Sequence, residues 1–191
     1  MAEAARRPDW VLGFLDETWW SRLAQPELFA WTTGAPLRLA ELSKAKDGPQ
    51  ALACYGLLRA DTDAMLLRFV EGRPVSQVTE DFLGWLCERF QREGKRVFVV
   101  VWDNASWHIS HRVRDWIAAH NRRVRRLGGV RLRVCALPVK APWLNPIEPK
   151  WLHGKRAIVE PDRKLTPKEV QDRVHEHYQC DPEPPLKQNV A

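Results

Sequence analysis

Three acidic residues mark positions where the sequence can place metal-dependent chemistry. Asp16 and Asp103 each follow an apolar run typical of a buried strand, and Glu148 stands at the start of a predicted helix. Carboxylates that converge without basic partners repel one another, and Mg²⁺ relieves this repulsion while also binding water and phosphate oxygens. Two such ions can activate a water or a 3′-hydroxyl and stabilise the leaving oxygen of a phosphodiester.

Each acid also has a purely structural interpretation. Asp16 and Asp103 suit ordinary turns at the ends of strands. Glu148 follows Asn145 by three residues, as the acid of a helix capping arrangement does. Neither arrangement needs a metal, so the assignment depends on whether the three acids meet in the fold.

The apolar runs predict the strands that position these acids. Trp10–Leu15 predicts a first strand, and Val97–Val101 predicts a central strand buried on both faces. Ala51–Arg59 and Ala64–Val70, joined by a short polar segment, predict a β-hairpin. Val130–Ala136 alternates between apolar and basic residues and predicts a strand near a sheet edge.

Helices are predicted from capping residues followed by apolar residues at helical spacing. Their predicted starts are Thr79, about Ser110 and Asn145, with a fourth helix over Thr166–His177. A crossover between the first and central strands lets these strands pair in parallel, so that Asp16 and Asp103 meet at one end of the sheet. The third helix can bring Glu148 to the same end.

Composition indicates a globular protein with an anionic partner. The 191 residues are 45% hydrophobic, and 30 Lys and Arg against 24 Asp and Glu give a net charge of +6. Eight arginines and a single acid, Asp115, lie between Arg112 and Arg133. A solvated helix face explains part of this cluster, but its density favours contact with phosphates.

Cysteine spacing and hydropathy exclude several other classes. The four cysteines form no C-x-x-C pair, which argues against a zinc knuckle and a secreted disulfide scaffold. No stretch approaches a membrane span, and the first residues lack the apolar core of a signal peptide. We therefore expect a cytoplasmic protein without a membrane partner.

Three segments together resemble the catalytic motifs of DDE transposases. They read F-L-D-E-T-W at 14–19, V-W-D-N-A-S-W-H at 101–108 and A-P-W-L-N-P-I-E-P-K-W at 141–151. The nearest resemblance is to the bacterial insertion-sequence branch of the mariner-type superfamily, over about residues 10–160. The second and third segments are specific, whereas the first is weak without them.

The resemblance implies a fold and an activity. The expected fold is α/β and RNase H-like, with a mixed five-stranded sheet flanked by helices. Residues 1–160 would form the catalytic domain, and residues 161–191 a C-terminal helix and a Pro-rich tail. The expected activity is DNA strand cleavage and strand transfer at insertion-sequence ends, by a D-D-E mechanism with two Mg²⁺ or Mn²⁺ ions.

The resemblance also implies functional residues. The catalytic acids and metal ligands fall on Asp16, Asp103 and Glu148, and His108 is expected to orient its loop or to contact DNA. The residues expected to contact DNA, from the motifs and the basic cluster together, are Asn104, His108, Arg122, Arg123, Arg125, Arg126 and Lys150. The expected partners are double-stranded DNA, as element ends and target in the nucleoid, and a second copy of the chain in a homodimer on DNA.

The sequence departs from the family pattern in ways that leave alternatives open. Between Asp103 and Glu148 lie 44 residues, more than is usual in this branch, and only nine residues precede Trp10. We find no helix-turn-helix there, so a separate upstream helix-turn-helix polypeptide is an expected partner. A catalytically silent DNA- or protein-binding remnant and a structure-selective RNase H-like nuclease are the alternative functions.

Overall fold

The described residues form a mixed β-sheet with helices on both faces. The structure is a computed structural model that describes residues 6–23, 48–139, 141–158 and 163–188. The strands, in chain order, are β1 (Trp10–Ser21), β2 (Ala51–Arg59), β3 (Met65–Glu71), β4 (Val97–Trp102), β5 (Arg131–Ala136) and β6 (Leu186–Lys187). The helices are α1 (Ser76–Arg92), α2 (His111–Leu127), α3 (Ile147–Ile158) and α4 (Pro167–Tyr178), with a 3-10 turn at Pro142–Leu144.

The strand order across the sheet is β5-β4-β1-β2-β3-β6. Strands β1, β2 and β3 pair antiparallel, which confirms the predicted hairpin, and β4 pairs in parallel with both β1 and β5. The mixed sheet is as predicted, but the count of five strands is wrong for the described residues. The sixth strand, β6, is only two residues long and pairs with β3, too short to leave a periodic signal in the sequence.

Strand β1 is longer than the sequence predicted. We expected it to end at Leu15, yet it continues to Ser21, because antiparallel pairing with β2 runs on to the pair Ser21–Ala51. Asp16 therefore lies inside a strand, opposite Gly56, and not in a turn after it. Only the parallel partner β4 ends at this level of the sheet.

Three of the predicted helix starts can be compared by their capping chemistry. The Ser110 hydroxyl accepts from the Val113 amide at the start of α2, and Thr166 forms a capping box at the start of α4. Thr79 is not the N-cap of α1, because that helix begins at Ser76. The Thr79 hydroxyl is instead paired with the Tyr55 hydroxyl at 2.8 Å inside the core.

Two apolar layers hold the helices against the sheet. On one face, α1 and α2 pack over side chains that include Val11, Leu15 and Phe98. On the other face, α3 and α4 pack over side chains that include Phe14 and Val101. Because successive strand residues alternate between faces, each residue of β1 and β4 is assigned to one helix layer or the other.

Residues 181–188 lie along the edge of the sheet. Asp181–Pro185 has no helix or strand, as expected of a Pro-rich segment, but Arg68 Nε donates to the Pro184 carbonyl at 2.9 Å. Leu186 is buried and pairs with Val70. The expected boundary between residues 160 and 161 falls outside the described residues. Among the described helices, none combines the length and apolar character needed to span a membrane.

Candidate active site

Asp16 and Asp103 lie side by side at the carboxyl end of β4. The parallel pairing of β1 with β4 ends at Phe14 and Val101, so each acid stands two residues beyond the last pair on adjacent strands. Phe14 and Val101 belong to the layer beneath α3, and alternation gives both acids that same face. The strand pairing expected from the sequence therefore brings these two carboxylates together.

Helix α3 brings Glu148 to the same face of the sheet. Trp151, one turn after Glu148, donates from Nε1 to Oδ2 of Asp16 at 3.1 Å. Just before the helix, the buried side chain of Asn145 donates from Nδ2 to the Leu15 carbonyl at 3.3 Å. These two hydrogen bonds fix the first turns of α3 beside Asp16.

The capping interpretation of Glu148 lacks its hydrogen bonds. The Asn145 amide bonds to β1 and not to the amides of α3, and no described side-chain hydrogen bond joins Glu148 to the Asn145 backbone. Oδ1 of Asn145 is buried and has no partner among the described groups. A capping box therefore does not explain this acid, in contrast to Glu169, which forms one with Thr166.

The pKa of Asp16 records the proximity of the other acids. Burial is the largest cause, and repulsion by Glu17, Glu148 and Asp103 adds to it, so that the pKa rises from 3.8 to about 7. Without a bound cation, Asp16 is thus poised to take up a proton near neutral pH. A cation at this site would favour the ionised carboxylate instead.

Asp103 is held from the other side by His108. Nδ1 of His108 lies 2.8 Å from Oδ1 of Asp103, and Nε2 lies 2.6 Å from Oε1 of Glu17. The imidazole ring is buried and stacks on the Trp102 indole at a centroid distance of 4.8 Å and an interplanar angle of 2°. The Ala105 amide donates a second hydrogen bond to Oδ1 of Asp103 at 2.9 Å.

Carboxylates on both ring nitrogens favour the charged form of His108. An ionised carboxylate can only accept a hydrogen bond, so a ring with an ionised partner at each nitrogen donates from both. Burial opposes this charge, but Glu17 and Asp103 outweigh it and raise the pKa of His108 to about 9. The hydrogen bond from His108 is in turn the largest cause that lowers the pKa of Asp103.

The donor chemistry at this site fits a hard divalent cation. Asp16, Asp103 and Glu148 offer carboxylate oxygens, the ligands that Mg²⁺ prefers, and repulsion by Glu148 and Asp103 adds to the effects of burial and Glu17 in raising the pKa of Asp16. Across residues 6–23, 48–139, 141–158 and 163–188, no three His, Cys, Asp or Glu side chains form a closed cluster that could hold a metal ion. Hydrogen bonds to His108 and Trp151 occupy one oxygen each of Asp103 and Asp16.

A family model described as "DDE superfamily endonuclease" matches residues 12–169, which is most of the 191-residue chain. The chain belongs to the DDE superfamily endonuclease family. All three candidate acids of this DDE chain lie within the matched range. No curated protein matches the chain by sequence.

Solved structures of Mos1 transposase share the fold of this DDE chain. The "Mos1 transposase paired-end complex with left transposon end" superposes with a TM-score of 0.65 at 15% identity, over 89% of this chain and 48% of that one. The "Mos1 mariner paired end complex with Mn" superposes with a TM-score of 0.65 at 14% identity, over 89% of this chain and 48% of that one. The catalytic domain of Mos1 mariner transposase superposes with a TM-score of 0.58 at 13% identity, over 89% of this chain and 70% of that one. The fold is thus RNase H-like, and the chain spans about half the length of the Mos1 chains in the two complexes.

Sequence reasoning missed two residues of the site. Glu17 follows Asp16 and therefore points to the opposite face, where the repeat of two along a strand could have placed it beside the Trp102 layer. Trp151 ends the third motif and stands three residues after Glu148, on the same side of a helix. In both cases the local spacing was visible in the sequence, but the partner, His108 or Asp16, was distant along the chain.

Three of the residues expected to contact DNA make contacts within the protein. His108 is buried and contacts Asp103 and Glu17, and its expected role in orienting the loop or contacting DNA stays a prediction. The Asn104 amide donates to the Leu137 carbonyl at 2.7 Å, and Lys150 forms an ion pair with Asp63 at 2.5 Å. A role for Asn104 or Lys150 in binding DNA stays a prediction.

The arginine cluster lies far from the acids. Arg122, Arg123, Arg125 and Arg126 are exposed in the last turns of α2. At a rise of about 1.5 Å per residue, they stand roughly 20 Å along the helix from its start, which follows the loop that contains Asp103. Helix α2 packs on the face opposite α3, and Asn121 bonds to Leu132 at the distant end of the sheet.

Proposed function

We propose that the chain is the catalytic domain of a transposase that cuts DNA strands and transfers them, with Asp16, Asp103 and Glu148 as ligands of two divalent metal ions. The observation that carries this proposal is that the three acids, from β1, β4 and α3, lie on one face of the sheet, with Glu148 and Asp103 near enough to contribute to the raised pKa of Asp16. Membership of the DDE superfamily endonuclease family supports it, as does the likeness to a Mos1 paired-end complex with a left transposon end and to a Mos1 paired-end complex with Mn.

In this proposal, the protein supplies the ligands, their orientation and the exclusion of competing contacts. Asp16 and Glu148 come from elements joined by the Trp151 hydrogen bond, so that their separation is set by the packing of α3. Asp103 is oriented by His108 and Ala105. The bound ions would polarise the phosphodiester and activate the attacking hydroxyl. The proposed substrates are insertion-sequence ends and target DNA. The proposed assembly is a homodimer on DNA.

Plasmid nicking and strand transfer test the proposal together. Supercoiled plasmid is incubated with the chain in Mg²⁺, in Mn²⁺ or in EDTA, with and without a labelled duplex that has free 3′-hydroxyl ends. We expect metal-dependent nicking and covalent joining of the label to the plasmid. Asp16→Ala, Asp103→Ala and Glu148→Ala should each abolish both products. Asp115→Ala, which removes an exposed acid from α2, is the matched control and should be fully active.

The alternative functions give different outcomes in the same assay. Nicking without joining would favour a structure-selective nuclease. DNA binding without either product in Mg²⁺ or Mn²⁺ would favour a catalytically silent remnant. Full activity of Asp103→Ala, or full activity in EDTA, would contradict the assignment of the three acids.

A further inference from the structure

Glu17 stands next to a proposed metal ligand but on the other side of the sheet. Along β1, Leu15 packs in the layer beneath α1 and α2, and Glu17 shares that side by alternation. Its side chain is only 7% exposed, and the His108 side chain that it contacts is 0% exposed. A buried carboxylate that lies on the opposite face of β1 from Asp16 and pairs with His108 needs an explanation other than metal binding.

The contact between Glu17 and His108 fixes the orientation of the imidazole ring. Oε1 of Glu17 lies 2.6 Å from Nε2, and the Trp102 indole stacks flat against one side of the ring. Trp107 meets the ring edge-on, with centroids 6.2 Å apart. Rotation of the ring would break the hydrogen bond to Glu17 and the stacking together, so His108 has one orientation from which to reach Asp103.

The hydrogen bonds to Asp103 leave its two oxygens unequal. His108 and the Ala105 amide both donate to Oδ1, at 2.8 Å and 2.9 Å. No described group donates to Oδ2, and the Asp103 side chain is 48% exposed. The carboxylate is therefore held by its inner oxygen, and the other oxygen is left for a ligand from outside.

From these contacts we infer that Glu17 is a positioning residue, which acts through His108 to hold the Asp103 carboxylate with Oδ2 open to the metal. This inference rests on the proposed function, because it assumes that Asp103 is a ligand. Removal of a hydrogen-bond partner behind a metal ligand commonly lowers metal affinity by about ten- to hundredfold. A purely structural role, as a buried ion pair that only stabilises the fold, is the competing explanation.

Two substitutions at Glu17 separate reach from charge. Glu17→Gln keeps the length of the side chain and an oxygen that can accept from Nε2, but it removes the negative charge. Glu17→Asp keeps the charge but is one methylene shorter and no longer reaches the ring. If positioning matters, Glu17→Gln should resemble the wild type more closely than Glu17→Asp, and the reverse ranking is expected if only charge matters.

His108→Ala supplies an independent sign test. Removal of a cation beside a metal ligand should strengthen the binding of Mn²⁺ if only long-range charge is involved. If the ring positions Asp103, the same substitution should weaken the binding of Mn²⁺. Positioning by the ring and a long-range effect of its charge thus predict opposite changes in Mn²⁺ affinity for His108→Ala.

The experiment measures Mn²⁺ binding to the metal-free full chain without DNA, by calorimetry and by the electron paramagnetic resonance signal of free Mn²⁺. The melting temperature of each variant is recorded, and binding is measured well below it. We expect Glu17→Asp and His108→Ala to bind Mn²⁺ about tenfold or more weakly, and Glu17→Gln to stay within about threefold of the wild type. In the nicking assay, Glu17→Gln should likewise recover most of the activity that Glu17→Asp loses.

The remaining outcomes distinguish this inference from the proposed function. Lower melting temperatures with unchanged Mn²⁺ affinity, or tighter binding by His108→Ala, would overturn the inference and leave the metal site intact. If Asp103→Ala binds Mn²⁺ as the wild type does, or if the wild type binds none, the proposed function itself fails. Should His108→Ala not fold, the comparison of Glu17→Gln with Glu17→Asp, which leaves the ring in place, carries the test.

Discussion

The indole of Trp151 donates a hydrogen bond to Asp16 across 135 residues of sequence, with Nε1 and Oδ2 3.1 Å apart. The same ring lies against Gly56 on β2 and meets Trp20 edge-on at a centroid distance of 5.9 Å. Helix α3 is therefore attached to the sheet at the level of the acids, and the separation of Asp16 from Glu148 depends on how Trp151 packs.

The first prediction concerns the hydrogen bond from Trp151. Trp151→Phe keeps most of the apolar packing but removes the donor, so the ionised form of Asp16 loses a partner. We expect metal-dependent nicking to fall on the order of tenfold, and its pH profile to move to higher pH. Trp116→Phe, a matched change in α2 on the other face of the sheet, should leave the profile unchanged. A Trp151→Phe enzyme with the wild-type rate and profile would contradict the prediction.

The second prediction concerns stability and pH in the absence of metal. The pKa of Asp16 is about 7 in the folded chain and 3.8 as the reference value for the unfolded chain, so the folded state binds the proton more tightly. The free energy of unfolding should therefore decrease as the pH rises from about 4 to 7, by an amount on the order of a few kcal/mol for this group.

Asp16→Asn isolates this contribution, because the amide is neutral at every pH. In EDTA, urea unfolding should give similar stabilities for both proteins near pH 4 and a more stable variant near pH 8. Added Mg²⁺ should reverse the order at pH 8, since the ion binds only the ionised wild-type site. If the stabilities of the wild type and of Asp16→Asn change in parallel from pH 4 to pH 8, the pKa of Asp16 is not raised.

The third prediction concerns the close packing of α3 on the sheet. A Cβ at Gly154 would lie 2.8 Å from the Trp20 ring and would also collide with Tyr178. Gly154→Ala should destabilise the fold by about 1–3 kcal/mol, although alanine favours helices, and should weaken metal-dependent nicking because Glu148 moves with the helix. Gly84→Ala in α1 is the matched control, since the nearest atom to its new Cβ would be on Trp116 at 3.7 Å. It should stabilise the chain by about 0.5–1 kcal/mol.

The fourth prediction concerns the arginines of α2. Replacement of Arg122, Arg123, Arg125 and Arg126 by Gln should weaken DNA binding and flatten the slope of log affinity against log salt, by about one for each phosphate that the variant no longer neutralises. Arg123 lines the groove between α1 and α2 with Glu88, whereas the other three arginines line one shallow surface depression. Of the four single Arg→Gln substitutions, Arg123→Gln should therefore weaken DNA binding least. An unchanged slope in the quadruple variant would assign the cluster to the solvated surface.

Local patterns in the sequence predicted the elements better than their contacts. The hairpin, the buried central strand and the start of α2 at Ser110 follow from runs, turns and caps within a few residues of each other. The continuation of β1 past Asp16 does not, because residues beyond Leu15 are held in the strand by pairing with β2. The partners of His108 were equally hidden, since Glu17 lies 91 residues away and alternation along β1 gives the face of Glu17 but not its contact with the ring.

The placement of α2 has a consequence for the path of DNA. The acids lie on one face at the carboxyl end of β4, and the arginines lie on the other face near its beginning. If both surfaces bind DNA, a straight duplex held at the acids would not also run along the arginines, and the two surfaces would contact different stretches of nucleic acid. Cleavage of a short duplex should then be insensitive to the loss of the arginines, whereas a long or looped substrate should depend on them. Comparison of short and long substrates thus allows strand cleavage at the acids and DNA binding by the arginines to be measured separately.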